Sequence, residues 1–527
     1  MSRRQLLQMI GASAGGAAMY QAMSSLGLAA ASPFKGPIDL QGAPRGASVL
    51  ILGAGMAGMT AAYELRNAGY KVQVLEYNNR PGGRNWTLRG GDRYTELGGE
   101  TQRCEFDQDL YINPGPWRIP YHHHGMMHYT KQLGVPLEPF FQVNYNAYLH
   151  SSQAFGGKPQ RYREVKADYQ GHIAELLAKA TRQNSLDASV TKEDQEVLLA
   201  SLRGWGALDK NYAYVSSDAV SDRRGFDKKP GGGLSGEPVP SKPVALHDLL
   251  QSGLWQGIAS GDTFDMQTAL FQPVGGMGRI GEAFGRELGP LIRYNSKVTD
   301  IRQDARGVTV SFLDSQAGSA RQTLRADWCI CTIPLPILAQ IPMNVGPALA
   351  AAISAVPSAA AVKAGLQFKR RFWEQDEQIY GGITYTDLPI LNIGYPNTGF
   401  QSSGKGVLLG AYIWGLRAME FTAMTPAERL QRVVAYGSQI HPQYHQEFEN
   451  GISVAWHRVP FTMGCFGMWS SDTRAKHYDA LCELDGRIAL AGEHASFLGG
   501  WQEGAVTSAL DVIGRIHSRA VALGAKT

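Results

Sequence analysis

The stretch Val49-Leu50-Ile51-Leu52-Gly53-Ala54-Gly55-Met56-Ala57-Gly58 joins an apolar run to three glycines spaced as Gly-x-Gly-x-x-Gly. The apolar run predicts a buried strand, and the small residues after it predict the start of a helix. Glycines in this spacing permit a tight turn, let backbone N–H groups approach a pyrophosphate and let the helix pack on the strand. The phosphate charge would then meet a helix N-terminus. The stretch therefore predicts a dinucleotide site at Gly53, Gly55, Met56, Ala57 and Gly58.

An acidic residue follows at the expected interval. The apolar segment Lys71 to Leu75 predicts a second strand, which ends in Glu76. An acid about 20 residues past the glycines is placed to accept hydrogen bonds from a ribose diol. This pattern alone does not separate NAD from FAD, and glycine turns between a strand and a helix also occur for packing alone.

A second glycine-rich segment, Arg80-Pro81-Gly82-Gly83-Arg84-Asn85-Trp86-Thr87, comes soon after the predicted ribose acid. Together with Glu96-Leu97-Gly98-Gly99-Glu100, it resembles the FAD-binding opening of the flavin amine oxidase superfamily, which includes monoamine, polyamine and L-amino-acid oxidases. The resemblance implies FAD as the cofactor, in contact with Arg84, Gly98, Gly99 and Glu100. It also implies an α/β fold: a Rossmann-like FAD-binding domain (GR2-type flavoprotein) with an inserted mixed-sheet substrate domain and a helical subdomain.

Later segments resemble the parts of this family that return to the cofactor. By that resemblance, the Val298 backbone would bracket the adenine, and Gly492 and Glu493 would contact the ribityl chain and the phosphate. Near the C-terminus, Gly499-Gly500-Trp501-Gln502-Glu503-Gly504-Ala505 resembles a motif that places an aromatic ring beside the flavin. The resemblance therefore adds Trp501 and Gln502 to the cofactor site.

The resemblance spans about residues 45–525 and implies a division of the chain. Helical spacing of Ala, Leu, Glu, Lys and Gln near residues 163–250 supports a helical subdomain. Within it, the Gly/Pro/Lys-rich stretch 225–243 is expected to be an irregular, mobile surface loop. We expect the FAD-binding domain to comprise residues 45–112, 271–347 and 480–527, the substrate-binding domain residues 113–162 and 350–478, and the helical subdomain residues 163–265.

Residues 1–31 have the pattern of a targeting segment. Ser2-Arg3-Arg4-Gln5-Leu6-Leu7 is a twin-arginine start, followed by a Gly/Ala-rich apolar stretch and a small-residue exit at Ala29-Ala30-Ala31. This pattern predicts a signal peptide for the twin-arginine (Tat) export machinery and a periplasmic or secreted enzyme. The alternative is an ordinary N-terminal segment.

Composition limits the partners. The 50 basic and 46 acidic residues give a net charge of +4, too weak a bias to indicate nucleic-acid binding. No run of eighteen apolar residues follows residue 32, so no stable membrane insertion is expected. The five cysteines are too few and too scattered for a disulfide framework.

No metal is expected either, because no Cys/His spacing resembles a zinc site. His124 and His128 have an i, i+4 spacing, but we interpret the run His122-His123-His124 as a partly solvated helix start.

One segment indicates which subfamily of the superfamily the chain resembles: Asn113-Pro114-Gly115-Pro116-Trp117-Arg118-Ile119-Pro120. It resembles the L-amino-acid oxidase pattern Gly-Pro-x-Arg-x-Pro, whose arginine binds the substrate carboxylate. A planar guanidinium suits this role, since it can bind a carboxylate through two parallel hydrogen bonds. The alternative for Arg118 is a surface salt bridge at a helix entry.

Four further residues are matched to the substrate site by resemblance. Tyr395 would bind the other face of the carboxylate, the Gly500 carbonyl would accept from the substrate amine, and Trp501 would wall the reacting bond. Lys363, inside an apolar strand, would hold a water near the flavin and assist oxidation by O2. A packed sheet tyrosine and an edge-strand lysine are the alternatives for Tyr395 and Lys363.

The resemblance implies oxidative deamination of an L-amino acid by hydride transfer from Cα to flavin N5. The imino acid would hydrolyse to the 2-oxo acid and ammonia, and O2 would become hydrogen peroxide. The reaction needs a neutral amine and therefore a base. Some relatives place a histidine ahead of the Phe271 segment, but Gly261-Asp262-Thr263-Phe264-Asp265 has none. Bulk pH or a bound water is the alternative.

Other functions remain open at this point. An L-amino-acid 2-monooxygenase would share the carboxylate anchor, and an amine oxidase or a dehydrogenase with another electron acceptor would not need Arg118. A flavoprotein kept for binding or signalling is a further class. Cys465 falls where monoamine oxidases attach flavin covalently, with a buried free thiol as the alternative. The resemblance also implies a homo-oligomer, a dimer or larger.

Overall fold

The computed structural model describes residues 32–186, 190–315 and 320–524. The predicted twin-arginine segment, residues 1–31, lies outside the described residues. In the described part of the chain, no helix is both long enough and apolar enough to cross a bilayer.

A five-stranded parallel sheet organises the first part of the fold. Its central strand is the apolar run of the first glycine motif, and all its neighbouring pairs are parallel. Both faces are buried, which explains why the strands are almost continuously apolar. Across the sheet the strands are Ile292–Arg293, Lys71–Leu75, Ser48–Leu52, Trp328–Cys331 and Ile488–Leu490.

In chain order these strands run 3-2-1-4-5, so the order reverses beside the central strand. The crevice outside the carboxyl ends of strands Ser48–Leu52 and Trp328–Cys331 is thus the topological switch point, where open α/β sheets bind ligands. Cys329 and Cys331 both belong to one buried cluster beside this sheet, so they are core residues.

A seven-stranded mixed sheet forms the second large layer. Its pairs are antiparallel except for the parallel pair between Tyr148–His150 and Ile383–Thr386. The strands, across the sheet, are Gln160–Arg161, Tyr148–His150, Ile383–Thr386, Asn392–Gly394, Gly406–Trp414, Ala361–Phe368 and Phe448–Ala455.

Smaller sheets connect these layers. One three-stranded sheet consists of Ser296–Asp304, Gly307–Asp314 and Arg321–Ala326, and another of Ile119–Pro120, Leu270–Pro273 and Leu137–Phe140. The two-stranded pairs are Leu88–Arg89 with Tyr111–Ile112, Arg93–Thr95 with Thr101–Arg103, and Phe226–Lys228 with Val239–Pro240. The last pair corrects the expectation of a wholly irregular loop over residues 225–243.

Helices cover the sheets and form a separate bundle. The bundle, between residues 162 and 252, has its own small core around Ala174, Leu202 and Tyr214, and a buried Asp168–Arg224 ion pair. The α-helices are Met56–Asn67, His124–Gln132, Tyr162–Arg182, Lys192–Trp205, Asp218–Arg224, Leu246–Ser252, Gly278–Leu288, Leu335–Leu338, Pro347–Ala355, Phe372–Gln375, Gly415–Ala423, Pro426–Gly437, Tyr444–Glu447, Ser471–Cys482 and Gln502–Gly524.

A buried ion pair ties the Arg93–Arg103 hairpin to the helix Pro426–Gly437. The guanidinium of Arg429 is fully buried, donates to both carboxylate oxygens of Glu96, and donates a further bond to the Phe421 carbonyl. Tyr94 donates to the same carboxylate. Such a pair constrains the geometry strongly, because either charge alone would be left without compensation.

We therefore expect Arg429→Met to lower the free energy of unfolding by about 3 to 5 kcal/mol, because it leaves the Glu96 carboxylate buried and unpaired. Urea unfolding of the holoenzyme measures the change. Arg432→Met, at an exposed position of the same helix, is the control and should change stability by less than about 0.5 kcal/mol. Equal stability of the two variants would contradict the importance of the pair.

Candidate active site

The cleft that the glycine motifs line lies at the switch point of the parallel sheet. Gly53 and Thr332, each directly after a central strand, lie in its wall. The cleft encloses about 1280 Å³, including the part open to solvent. Its wall contains all but four of the cofactor residues that the sequence predicted: Gly53, Gly55, Met56, Ala57, Glu76, Arg84, Val298, Gly492, Glu493, Trp501 and Gln502. Gly58 packs behind this wall.

The three glycines of the first motif have different tasks. Gly53 has a φ of +107°, and a Cβ there would lie 2.5 Å from the Thr332 hydroxyl. A Cβ on Gly58 would lie 2.0 Å from the Gly53 carbonyl oxygen, so the helix Met56–Asn67 can approach the strand only without a side chain there. A Cβ on Gly55 would meet only open space. Packing thus requires Gly58, whereas Gly55 leaves room for a ligand at the helix N-terminus.

Glu76 closes one end of the cleft. Its Oε2 accepts from the Ala54 N–H at 2.6 Å, and its Oε1 accepts from the Asn78 N–H at 2.8 Å. These bonds fix a buried carboxylate beside the glycine turn. A carboxylate held there can also accept from the hydroxyls of a ribose.

Arg84 and Glu493 join distant parts of the chain in the same wall. Arg84 donates to Glu493 at 2.9 Å. Glu493 also accepts from the backbone N–H groups of Gly467 and Gly500. Next to this cluster, the Asn85 amide donates to the side chain of Gln502, the first residue of the helix Gln502–Gly524.

The residues present fit FAD. The cleft has an open cradle at Gly55, a helix N-terminus with no acidic residue in its first turn, and a ribose acceptor at Glu76. Its opposite part is walled by aromatic side chains suited to a flat ring system: Tyr412, Trp414, Trp456, Phe466 and Trp501. These features complement, in turn, the pyrophosphate, the ribose and the isoalloxazine of FAD.

Gly98, Gly99 and Glu100 do not belong to this wall, and their assignment to the cofactor is corrected. They lie in the exposed turn of the hairpin Arg93–Arg103. The segment 80–87, for which a close backbone approach was predicted, does reach the cleft, because Gly82 and Gly83 line it. Gly115 lines the cleft too, and a Cβ there would lie 1.9 Å from the Arg84 carbonyl oxygen.

Arg118 is buried next to this cleft. Its guanidinium contacts the Met266 sulfur at 2.8 Å and lies 5.7 Å from the ring centre of Trp501. Within residues 32–186, 190–315 and 320–524, no carboxylate forms an ion pair with it. A buried guanidinium without a counter-ion is costly, so the arrangement suits an anionic ligand. The alternative of a surface salt bridge is wrong.

The structure contradicts the role given to Tyr395. Its hydroxyl is buried and hydrogen-bonded to Thr384 at 2.8 Å and to His441 at 2.7 Å. It lines a separate cavity of the seven-stranded sheet. The packed-tyrosine alternative is the one observed.

Tyr385, which the sequence reasoning missed, lies near Arg118. Gln142 donates to its hydroxyl at 2.8 Å. Burial raises the pKa of Tyr385, and the charge of Arg118 opposes that rise. The Tyr385 hydroxyl is therefore the better candidate for the second contact to an anion bound at Arg118.

Lys363 is buried in the strand Ala361–Phe368. Its Nζ donates to the carbonyl oxygens of Gly115 at 2.6 Å and Asn113 at 3.3 Å, and lies 4.2 Å from the ring centre of Tyr412. The pKa of Lys363 is lowered to about 7, chiefly by burial. The charge of Arg118 contributes to this lowering, and Cys465 opposes it. The strand is not at an edge of the sheet, so the edge-strand alternative is wrong. Its charge changes near neutral pH.

Three further side chains of interest lie against this region. Cys465 lines the cleft, and burial raises the pKa of its thiol to about 12. His122 and His123 are fully buried, which corrects the expectation of a solvated helix start. Burial lowers the pKa of His122, and His123 lowers it further.

Comparison with known proteins agrees with this geometry. The chain is 29% identical over 482 residues to the L-amino-acid oxidase of Siganus canaliculatus, covering 89% of this chain and 85% of that protein. It is 28% identical over 474 residues to the L-amino-acid oxidase of Vipera ammodytes ammodytes, covering 88% of this chain and 91% of the other.

Solved structures share the fold. Cyclohexylamine oxidase from Brevibacterium oxydans superposes with a TM-score of 0.59 at 17% identity, covering 90% of this chain and 99% of that chain. The family model described as flavin containing amine oxidoreductase matches residues 56–516. With its FAD cleft in place, this chain is a member of the flavin-containing amine oxidoreductase family.

Proposed function

We propose that this protein is an L-amino-acid oxidase, which converts an L-amino acid and O2 to the 2-oxo acid, ammonia and hydrogen peroxide. One observation carries the proposal: a buried guanidinium, Arg118, has no carboxylate partner among the described residues and lies against Trp501 in the cleft wall. A simple amine has no anionic group for this cation to bind. An amino acid has one.

The residues around Arg118 support a single orientation of such a substrate. Arg118, with the Tyr385 hydroxyl nearby, would hold the carboxylate. Trp501 and the aromatic residues on the opposite wall would confine the α-carbon and exclude water. The Gly500 carbonyl would accept a hydrogen bond from the amine. When bound, FAD supplies the hydride acceptor, while the protein contributes binding, orientation and electrostatics.

A screen of the twenty L-amino acids, with their D-isomers as controls, tests the reaction class. Peroxide release is measured with a coupled peroxidase, and the organic products are identified by mass spectrometry. We expect peroxide, ammonia and a 2-oxo acid with at least one L-isomer. An amide and carbon dioxide would indicate the monooxygenase, and oxidation of amines alone would overturn the proposal.

The carboxylate role of Arg118 is tested by Arg118→Met. Loss of the charged, bidentate contact should remove about 2 to 4 kcal/mol of transition-state binding, roughly 30- to 1000-fold in kcat/KM for the amino acid. The amine made by decarboxylating that amino acid is the matched control substrate, and its kcat/KM should change little. An equal loss on both substrates would mean that Arg118 does not recognise a carboxylate.

Lys363 should give the reaction with O2 a pH dependence. A pKa lowered to about 7 makes Lys363 cationic below and neutral above that pH. The cation stabilises negative charge developing on oxygen, so kcat/KM for O2 should fall as pH rises through about 7. Lys363→Met should lower kcat/KM for O2 by about 100-fold and abolish this inflection.

Lys369→Met is the control for this experiment. Lys369 lies just past the end of the same strand and is exposed, so its loss should leave the pH profile unchanged. Retention of the inflection in Lys363→Met would assign it to another group.

FAD should be bound without a covalent bond. With its pKa raised to about 12, Cys465 is a thiol and not a reactive thiolate at neutral pH. After acid precipitation, we expect the flavin absorbance in the supernatant for both wild type and Cys465→Ser. Flavin that stays with the wild-type pellet, but not with that of Cys465→Ser, would show attachment at Cys465.

Export by the Tat machinery, a periplasmic or secreted location and a homo-oligomeric state stay predictions. They rest on residues 1–31 and on the family resemblance.

A further inference from the structure

A buried cluster of two histidines and one aspartate lies behind the substrate wall. His122, His123 and Asp265 are each at least nine-tenths buried. The Nε2 atoms of both histidines lie 3.6 Å from the same oxygen, Oδ1 of Asp265. All three donor atoms fall within 4.8 Å of one another. The cluster thus converges on one point.

These donor atoms have no hydrogen-bond partners. The Nε2 atoms of His122 and His123 and the Oδ1 of Asp265 are all buried and unsatisfied in the described part of the chain. A buried polar atom without a partner costs about 1 to 3 kcal/mol, and here three converge on one another. At 3.6 Å, neither imidazole is within hydrogen-bonding distance of the carboxylate.

The spacing is that of ligands around a small metal ion. Tetrahedral zinc binds imidazole nitrogen and carboxylate oxygen at about 2.0 to 2.2 Å, which places neighbouring donors about 3.3 to 3.6 Å apart. The two observed N–O distances match this separation. Two neutral imidazoles and one carboxylate are also a donor set that zinc uses, with a fourth position left for water.

The surrounding contacts hold the three ligands in place. His122 stacks on Phe264, with ring centres 4.0 Å apart. His123 directly precedes the helix His124–Gln132, whose Gly125 and Met126 N–H groups donate to the two carboxylate oxygens of Glu503. The donors therefore need little rearrangement to bind an ion.

We propose that His122, His123 and Asp265 form a binding site for one divalent transition-metal ion, with zinc as the reference ion. The ion joins the segment Phe264–Met266 to the segment that carries Arg118. Met266 contacts the Arg118 guanidinium, and the His123 ring lies 5.0 Å from that of Trp501. The metal thereby fixes the wall of the substrate site from behind. The proposal departs from the expectation of no metal and does not depend on the identity of the substrate.

Metal analysis of the full-length holoenzyme tests the site. The protein is produced without a polyhistidine tag in zinc-supplemented medium, dialysed, and analysed for zinc by mass spectrometry and for FAD by visible absorbance. We expect one zinc ion per chain in the wild type. Asp265→Asn and His123→Gln should each weaken zinc binding by at least about 100-fold, because two protein donors remain of three.

Matched controls separate a specific site from a general effect. His124→Gln and Asp262→Asn replace exposed residues beside the ligands and should keep one zinc ion per chain. After chelator treatment, added Zn²⁺ should raise the Tm of the wild type and both controls, but not of Asp265→Asn. The FAD content of each variant reports whether that variant is folded. If Asp265→Asn lacks FAD, the zinc measurements on His123→Gln replace those on Asp265→Asn.

Two results would overturn the proposal. One is a wild type that contains no stoichiometric metal and shows no rise in Tm with Zn²⁺. The other is a folded Asp265→Asn that binds zinc as tightly as the wild type.

Discussion

The close approach of one helix to one strand is the constraint on which the cofactor site depends. The helix Met56–Asn67 can reach the central strand only because Gly58 has no side chain, since a Cβ there would lie 2.0 Å from the Gly53 carbonyl oxygen. That approach places the helix N-terminus at the carboxyl edge of the parallel sheet. The open space at Gly55 and the fixed carboxylate of Glu76 then follow from the same turn.

The rest of the site is built by closing distant chain segments onto that edge. Glu493 joins the start of the C-terminal region to Arg84, and Glu503, the second residue of the last helix, caps the helix His124–Gln132. Trp501 and Gln502 lie between Glu493 and Glu503 in the sequence. The contacts of these two glutamates therefore position the flavin wall and the substrate wall together. Residues from distant parts of the chain thus form one cleft.

Buried charge is the chemical signature of the substrate side. Arg118 and Lys363 are both cations in surroundings where charge is costly. Lys363 relieves this cost by a lowered pKa and by two backbone carbonyls. Arg118 keeps its charge, because a guanidinium does not lose its proton in proteins, and so it requires an anion. The carboxylate of the proposed amino-acid substrate would meet that requirement, and the proposed metal site behind Met266 would hold the cation in place.

Glycine spacing and strand periodicity act locally on the backbone, so the sequence alone predicts the first two strands, the glycine turn with its helix, and Glu76, while the family resemblance adds Arg84. The resemblance also assigned Gly98 and Gly99 to the cofactor, whereas they lie in an exposed hairpin turn, because a motif does not reveal where a hairpin folds. Tyr395 and Tyr385 show the same limit. Thr384 and Tyr385 are neighbours in one strand, so their side chains face opposite sides of the sheet. Tyr395 is hydrogen-bonded to Thr384 and therefore lies on the side away from Tyr385. Only the tertiary structure decided these side-chain directions and brought Asp265 to His122 and His123, because strand register and long-range packing, rather than local spacing, set them.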